Sequence, residues 1–223
     1  PGLVFVPAGG VGRELGGGGC GRRHGRAPAH PAAQYHPAVA GAAERTGAGF
    51  GGGPAIAILN SQTGEVMQSF FAFDPAFTGG VFVAVQDTNG DGILDIIASA
   101  GPGGGPEVRI FNGANLNLLR SFYAYAEDFR GGVSVASIDF NGDGILDLVT
   151  GAGPGGAPHV KVYDGATNAI ISQWYAYPVS FTGGVYVAAG DIGNDGNIEV
   201  ITGAGAGGAP VVAVWNPYTA TLL

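Results

Sequence analysis

Apolar and polar residues alternate along most of this chain in short runs, bounded by glycine, proline, asparagine and aspartate. Val133 and Val135, and again Val160 and Val162, stand two apart with smaller or polar residues between them, the period of a half-buried strand. No window sustains apolar residues at helical spacing with caps, so no helix is predicted. Asn112-Gly113 and Asp164-Gly165 read as hairpin turns, with glycine supplying the positive φ that such turns need.

The pattern returns with a period of 52 residues, which separates Asp87, Asp139 and Asp191, and likewise Pro54, Pro106, Pro158 and Pro210. One unit runs from Phe129-Arg-Gly-Gly through Asp139-Phe-Asn-Gly-Asp-Gly-Ile-Leu-Asp147, Gly151-Ala-Gly-Pro-Gly-Gly-Ala-Pro158 and His159-Val-Lys-Val-Tyr163 to Trp174-Tyr-Ala-Tyr177. Each unit holds four predicted strands. The fold class is therefore all-β, a β-propeller-like array of four-stranded blades. The opening Pro1-Gly-Leu-Val-Phe-Val resembles Pro158-His-Val-Lys-Val-Tyr, and the chain stops at Leu223 where a fourth strand should start. Both ends fall inside a unit, as expected for a fragment of a larger propeller. Residues 46–223 are expected to form the repeat region. Residues 1–45 are expected to hold part of a blade strand and an irregular Gly-, Ala-, Arg- and Pro-rich segment. From about Gly12 to Arg45 the pattern is lost while the length of a unit is kept, which fits either a disordered insertion or a shifted reading frame.

Composition supports strands joined by tight turns. Glycine supplies 44 residues and proline 14, too many for long helices, and there is no Gly-X-Y period. The 46% apolar content is ample for a buried core. Cys20 is the single cysteine, so no disulfide can form within the chain. No apolar run approaches the roughly 20 residues of a membrane span. No signal peptide is legible, and a chain opening at Pro1 leaves upstream segments open.

Charge narrows the chemistry. From Thr46 onward 15 acidic residues face only Arg109, Arg120, Arg130 and Lys161, a net of 4 − 15 = −11. Nucleic acid would be repelled by that field. Nine of those acids sit in three loops of one layout, Asp87 to Asp95, Asp139 to Asp147 and Asp191 to Glu199. Calcium takes six to eight oxygen ligands, and oxygen-bearing side chains at alternating loop positions can converge on it. The candidate ligands are Asp87, Asn89, Asp91, Ile93 through its carbonyl, and Asp95; then Asp139, Asn141, Asp143, Ile145 and Asp147; then Asp191, Asp195, Asn197 and Glu199. The third loop has Gly193 where an oxygen donor is expected, a gap for water to fill. An EF-hand is rejected, because its twelfth position would be Ala98, Thr150 or Thr202 in place of glutamate, and strand patterns flank every loop. A plain hairpin turn with solvated acids is the simpler alternative.

The Gly-Ala-Gly segments match a G-x-G-x-x-G pattern formally, yet no helix follows, so close backbone approach between units is the preferred reading. The recurring aromatics, Phe70-Phe-Ala-Phe73 and its two counterparts, are expected mainly to fill the space between units, with stacking shelves for sugars as the alternative. No catalytic motif is present. His159, the one histidine inside a regular unit, reads as a strand residue.

The Phe129-to-Gly132 element, the Asp139-to-Asp147 loop and the Gly151-to-Pro158 element together resemble the FG-GAP repeats of integrin α-subunits and bacterial surface proteins. That resemblance covers about residues 47–223. It implies propeller blades, calcium in the Asp-x-Asn-x-Asp-Gly loops, and a non-catalytic role in adhesion or recognition of a protein or glycan ligand at the cell surface or outside the cell. The alternative is a carbohydrate-binding propeller accompanying a catalytic domain elsewhere. Neither nucleic acid nor a membrane span is expected.

Overall fold

The computed structural model describes residues 43–223. The expectations for residues 1–42 lie outside the described residues. Among the described residues fifteen strands form four antiparallel sheets, each a meander of sequence neighbours. Sheet 1 holds β1 (Ala43–Gly47), β2 (Ala55–Asn60) and β3 (Val66–Phe71). Sheet 2 holds β4 (Val81–Gln86), β5 (Asp95–Ala100), β6 (Glu107–Phe111) and β7 (Leu118–Tyr123). Sheet 3 repeats this with β8 (Val133–Ile138), β9 (Asp147–Ala152), β10 (His159–Tyr163) and β11 (Ile170–Tyr175). Sheet 4 holds β12 (Val185–Gly190), β13 (Glu199–Ala204), β14 (Val212–Asn216) and β15 (Thr221–Leu222). β1 straddles the boundary expected between residues 45 and 46. No helix occurs among the described residues.

Equivalent strands begin 52 residues apart, to within one residue at β14 and β15, so the repeat in the sequence is a repeat of sheets. The alternation expected for β8 is replaced by burial on both faces from Val133 to Ala136, because neighbouring sheets cover the strand from each side. β10 keeps the alternation, with Val160 and Val162 fully buried.

The apolar clusters lie between consecutive sheets. Aromatic pairs recur at each junction: Phe70 with Phe111, Phe122 with Tyr163, and Trp174 with Trp215, at centroid separations of 5.1, 5.3 and 5.9 Å. Phe73, Tyr125 and Tyr177 also turn into the junctions. A cation from the next sheet lies over the first two of these rings, Arg109 over Phe73 at 4.7 Å and Lys161 over Tyr125 at 4.8 Å. Arg109 and Lys161 further donate to the Ala72 and Ala124 carbonyls, each at 2.9 Å. The expectation that the aromatics fill space between units therefore holds for two of every three; Phe71, Tyr123 and Tyr175 remain 42–51% exposed.

The two glycine signatures meet at the same junctions. Gly51, Gly103 and Gly155 donate their amides to Thr78, Arg130 and Thr182 of the following linker at 2.8–2.9 Å. Gly132, at φ 74°, lies against the backbone of Gly101 in the preceding sheet, where no side chain would fit. The close-approach reading of these glycines is thus met across neighbouring sheets.

The hairpin glycines act differently from expectation. Positive φ falls on Leu116 and Asn168, near the ends of the turns, whereas Gly113 and Gly165 are not left-handed. A Cβ at either would strike the carbonyl oxygen of Leu94 or Leu146. Glycine stands there because the turn is pressed onto the acidic loop beside it.

Candidate metal centre

Each acidic loop joins the first strand of its sheet to the second, β4 to β5, β8 to β9 and β12 to β13. The loops have no regular hydrogen-bonded ladder, so their backbone amides turn to the acids. Asp87 accepts from Gly90 and Gly92 N–H at 2.8 Å, Asn89 from Asp91 N–H at 2.9 Å, and Asp91 from Ile93 N–H at 2.8 Å. The second loop repeats this bond for bond: Asp139 accepts from Gly142 and Gly144, Asn141 from Asp143, and Asp143 from Ile145, at 2.8–3.0 Å. Glycine at the sixth position is left-handed in all three loops, with φ of 81° to 84° at Gly92, Gly144 and Gly196.

The third loop is looser. Asp191 accepts from Asp195 and Gly196, and Asp195 from Asn197, but Gly193 offers no side chain and Asn194 takes a φ of 51°. The backbone donors favour the ionised acids. The Gly92 amide foremost holds Asp87 below its ordinary carboxyl pKa, and the Asn197 amide does so for Asp195.

The ninth-position acids behave otherwise. Asp95 and Asp147 are fully buried and Glu199 nearly so, while Asn89, Asp91, Asn141, Asp143, Asp191, Asp195 and Asn197 are exposed and Asp87, Ile93, Asp139 and Ile145 are half-buried. Asp147 accepts from Phe140 N–H at 2.9 Å and Asn141 N–H at 3.1 Å on one oxygen, and from Gly165 N–H at 2.8 Å on the other. Asp95 likewise accepts from Thr88 N–H and its hydroxyl and from Gly113 N–H, and Glu199 from Ile192 N–H. These acids tie the start of each loop to the sheet. Burial pushes the Asp147 carboxyl up against the pull of those three amides.

Among the described residues no three His, Cys, Asp or Glu side chains converge as a metal cluster. The donor set nonetheless fits a hard cation. Every candidate is an oxygen, with no imidazole or thiolate near, and a carboxylate offers about four acceptor sites, of which the loop amides engage two at Asp87, Asp139 and Asp191 and one at Asp91, Asp143 and Asp195. Asp87, Asn89 and Asp91 would hold calcium at the first loop, Asp139, Asn141 and Asp143 at the second, and Asp191 and Asp195 at the third. The residues at position 12, Ala98, Thr150 and Thr202, are wholly buried in strands, which bears out the rejection of an EF-hand.

Two side chains outside the motifs reach the exposed donor side chains of these loops. Asn112 lies 3.5 Å from Asp91, and Asp164 accepts from the Asn141 amide at 3.1 Å. Both occupy the start of the hairpin between the third and fourth strands of their sheet. The 52-residue spacing of positions 112, 164 and 216 is the sequence signal that could have flagged them.

Successive four-stranded meanders, packed face to face with one acidic loop at the same corner of each, define a repeat protein of the β-propeller class. The FG-GAP-like repeat matches residues 87–150 and 139–202, together 116 of the 223 residues. The chain belongs to that family, whose repeats are propeller blades. It is also similar to integrin alpha-V of Gallus gallus, 38% identical over 88 residues, which cover 36% of this chain and 8% of that protein. Among solved structures, the RRP9 WD40 repeats overlay 76% of this chain and 44% of theirs at 17% identity and a TM-score of 0.48. A protein from Bacteroides caccae overlays 78% of this chain and 54% of its own, at 14% identity and the same TM-score.

Proposed function

We propose that this chain is a calcium-stabilised recognition or adhesion module, non-catalytic in itself, that works at the cell surface or outside the cell. The observation that carries the reading is the recurrence of one scaffold: an aspartate capped by its own loop amides, then an oxygen donor two residues on, then a second aspartate. It is complete in two loops and lacks its middle donor in the third. Calcium would neutralise acids that otherwise repel and so lock each loop to its sheet. With a Kd of about 10 μM, roughly 1 mM calcium stabilises each site by about 2.7 kcal/mol. The surface location and the recognition role draw on family membership and on the likeness to integrin alpha-V, of whose length the match covers 8%.

Calcium titration by calorimetry on the full chain is the test, repeated with Asp91→Ala and Asp143→Ala and paired with thermal melts in calcium and in chelator. Binding at two to three sites, weakened by each substitution and raising the melting temperature, supports the reading. Absence of heat and of any melting shift reduces the loops to ordinary turns.

A second reading, carbohydrate recognition beside a catalytic domain elsewhere, is favoured by the exposed row of Phe71, Tyr123 and Tyr175. Tyr175 lies beside the His159 ring at 4.8 Å. Trp174, the other sugar-stacking candidate, is 8% exposed and is occupied by Trp215, so Tyr175 alone of that pair could meet a sugar. Glycan binding that survives chelator and is lost in Tyr175→Ala would favour this reading.

A further inference from the structure

The three acidic loops share a layout, but the residues that face them from outside do not. Positions 112, 164 and 216 open the hairpin between the third and fourth strands of sheets 2, 3 and 4, and are Asn, Asp and Asn. All three cap their own turn through one oxygen: Asn112 accepts from the Ala114 and Asn115 amides, Asp164 from the Thr167 amide and hydroxyl, and Asn216 from the Tyr218 and Thr219 amides. The second side-chain atom makes the difference. Asn112 points an amide at Asp91 from 3.5 Å, beyond good hydrogen-bond distance. Asn216 makes no bond to the third loop. Asp164 presents its second oxygen to Asn141 and accepts its Nδ2–H at 3.1 Å.

That bond fixes which way Asn141 faces. Its nitrogen is held by Asp164, so its oxygen is left on the loop side, where it already accepts from the Asp143 amide at 2.9 Å. The same loop is braced from the next sheet, since Tyr218 stacks on Phe140 at 4.2 Å and donates its hydroxyl to the Phe140 carbonyl at 2.6 Å. Asp164 also brings a full negative charge that an asparagine does not. Arg120 donates to the Gly165 carbonyl at 3.2 Å and feels the charge of Asp164, but forms no ion pair with it.

We propose that Asp164 is an outer positioning residue of the 139–147 loop, orienting Asn141 and adding charge, and that it makes this loop the tightest of the three calcium sites. The inference rests on the calcium reading above. Outer partners that orient a ligand commonly change metal affinity by about 10- to 100-fold, and calcium affinity rises with the charge gathered around the site.

The test is calcium calorimetry on the full chain with Asp164→Asn, Asn112→Asp and, to locate the tight site, Asp139→Ala. Asparagine already serves at 112 and 216, so Asp164→Asn keeps a residue that this turn accepts. The expected result is one site tighter than the rest, abolished by Asp139→Ala and weakened about tenfold by Asp164→Asn, with the other sites unchanged. Asn112→Asp should tighten the 87–95 site. A tight site insensitive to Asp164→Asn, or one removed by Asp87→Ala in place of Asp139→Ala, overturns the proposal and leaves the calcium reading standing. Absence of calcium uptake by the unaltered chain overturns both.

Discussion

Replacing Asp147 by alanine should strongly destabilise this protein even when no calcium is present, whereas replacing Asp139 should not. Asp147 is fully buried and accepts three backbone amides, two of which, Phe140 and Gly165, are themselves buried. Alanine leaves those amides without an acceptor. Each orphaned buried donor costs about 1–3 kcal/mol, partly relieved where water can follow into the vacated space. The sum is about 3–5 kcal/mol, a large share of the roughly 5–15 kcal/mol that holds a typical domain folded. Asp139 also accepts two amides, but those of the exposed Gly142 and Gly144, which water can serve instead. Its alanine variant should lose less than about 1 kcal/mol. Urea unfolding followed by circular dichroism, in chelator, measures both. Asp147→Asn keeps one acceptor oxygen and relieves a buried charge, so it should fall between the two. Equal losses for Asp139→Ala and Asp147→Ala, or a loss below about 1 kcal/mol for Asp147→Ala, would refute the division of the loop into a structural ninth position and an exposed, metal-facing remainder.

Three further outcomes follow from other parts of the array. Gly132→Ala forces a side chain into the Gly101 backbone at a left-handed φ and should cost about 3 kcal/mol or more, while Gly155→Ala, also left-handed but facing open space, should cost about 1 kcal/mol; thermal melts separate them. Trp174 buries an indole N–H with no acceptor at a position filled by phenylalanine in the two preceding sheets, so Trp174→Phe should stay within about 1 kcal/mol of the parent in the same assay. Burial foremost, and then Lys161, depresses the His159 pKa. The unfolded chain thus binds that proton more readily, and the stability this contributes is present above the ordinary histidine pKa and lost as pH falls toward the folded value. Melting temperatures from about pH 7.5 down to about pH 5 should drop less in His159→Gln than in the parent.

The sheets were legible because the signals for them are local and repeated. Val160, Val162 and the proline that precedes them mark β10, and adding or subtracting 52 finds β6 and β14 without further information. Position six of each loop was legible for the same reason, since only glycine takes that backbone cheaply. What escaped the sequence depends on direction or on a neighbour. Asp91 and Asp95 look alike in the motif, yet the pleat turns Asp95 into the sheet and leaves Asp91 outside. Gly113 and Gly165 looked like turn residues and proved to be contact residues, because the acidic loop that presses on them comes from an earlier part of the chain. Arg109 and Lys161 gave no sign that they reach back to the Ala72 and Ala124 carbonyls of the preceding sheet, and the 52-residue spacing that marks Asp164 does not say that it faces a loop 23 residues earlier.

Ile56, Val108 and Val160 are wholly buried at one position of three successive sheets, and Val212 at the same position of the fourth is 71% exposed. The difference lies in having a neighbour, because among the described residues nothing covers that face of sheet 4. Such a chain behaves as a one-dimensional lattice, in which each sheet contributes a small term of its own and each junction a larger one shared by two sheets. Opening should then begin at an outer sheet and propagate inward, as a zipper runs. Amide hydrogen exchange should grade accordingly, slowest in β5 and β9, which have a sheet on each side, and fastest in β14 and β15.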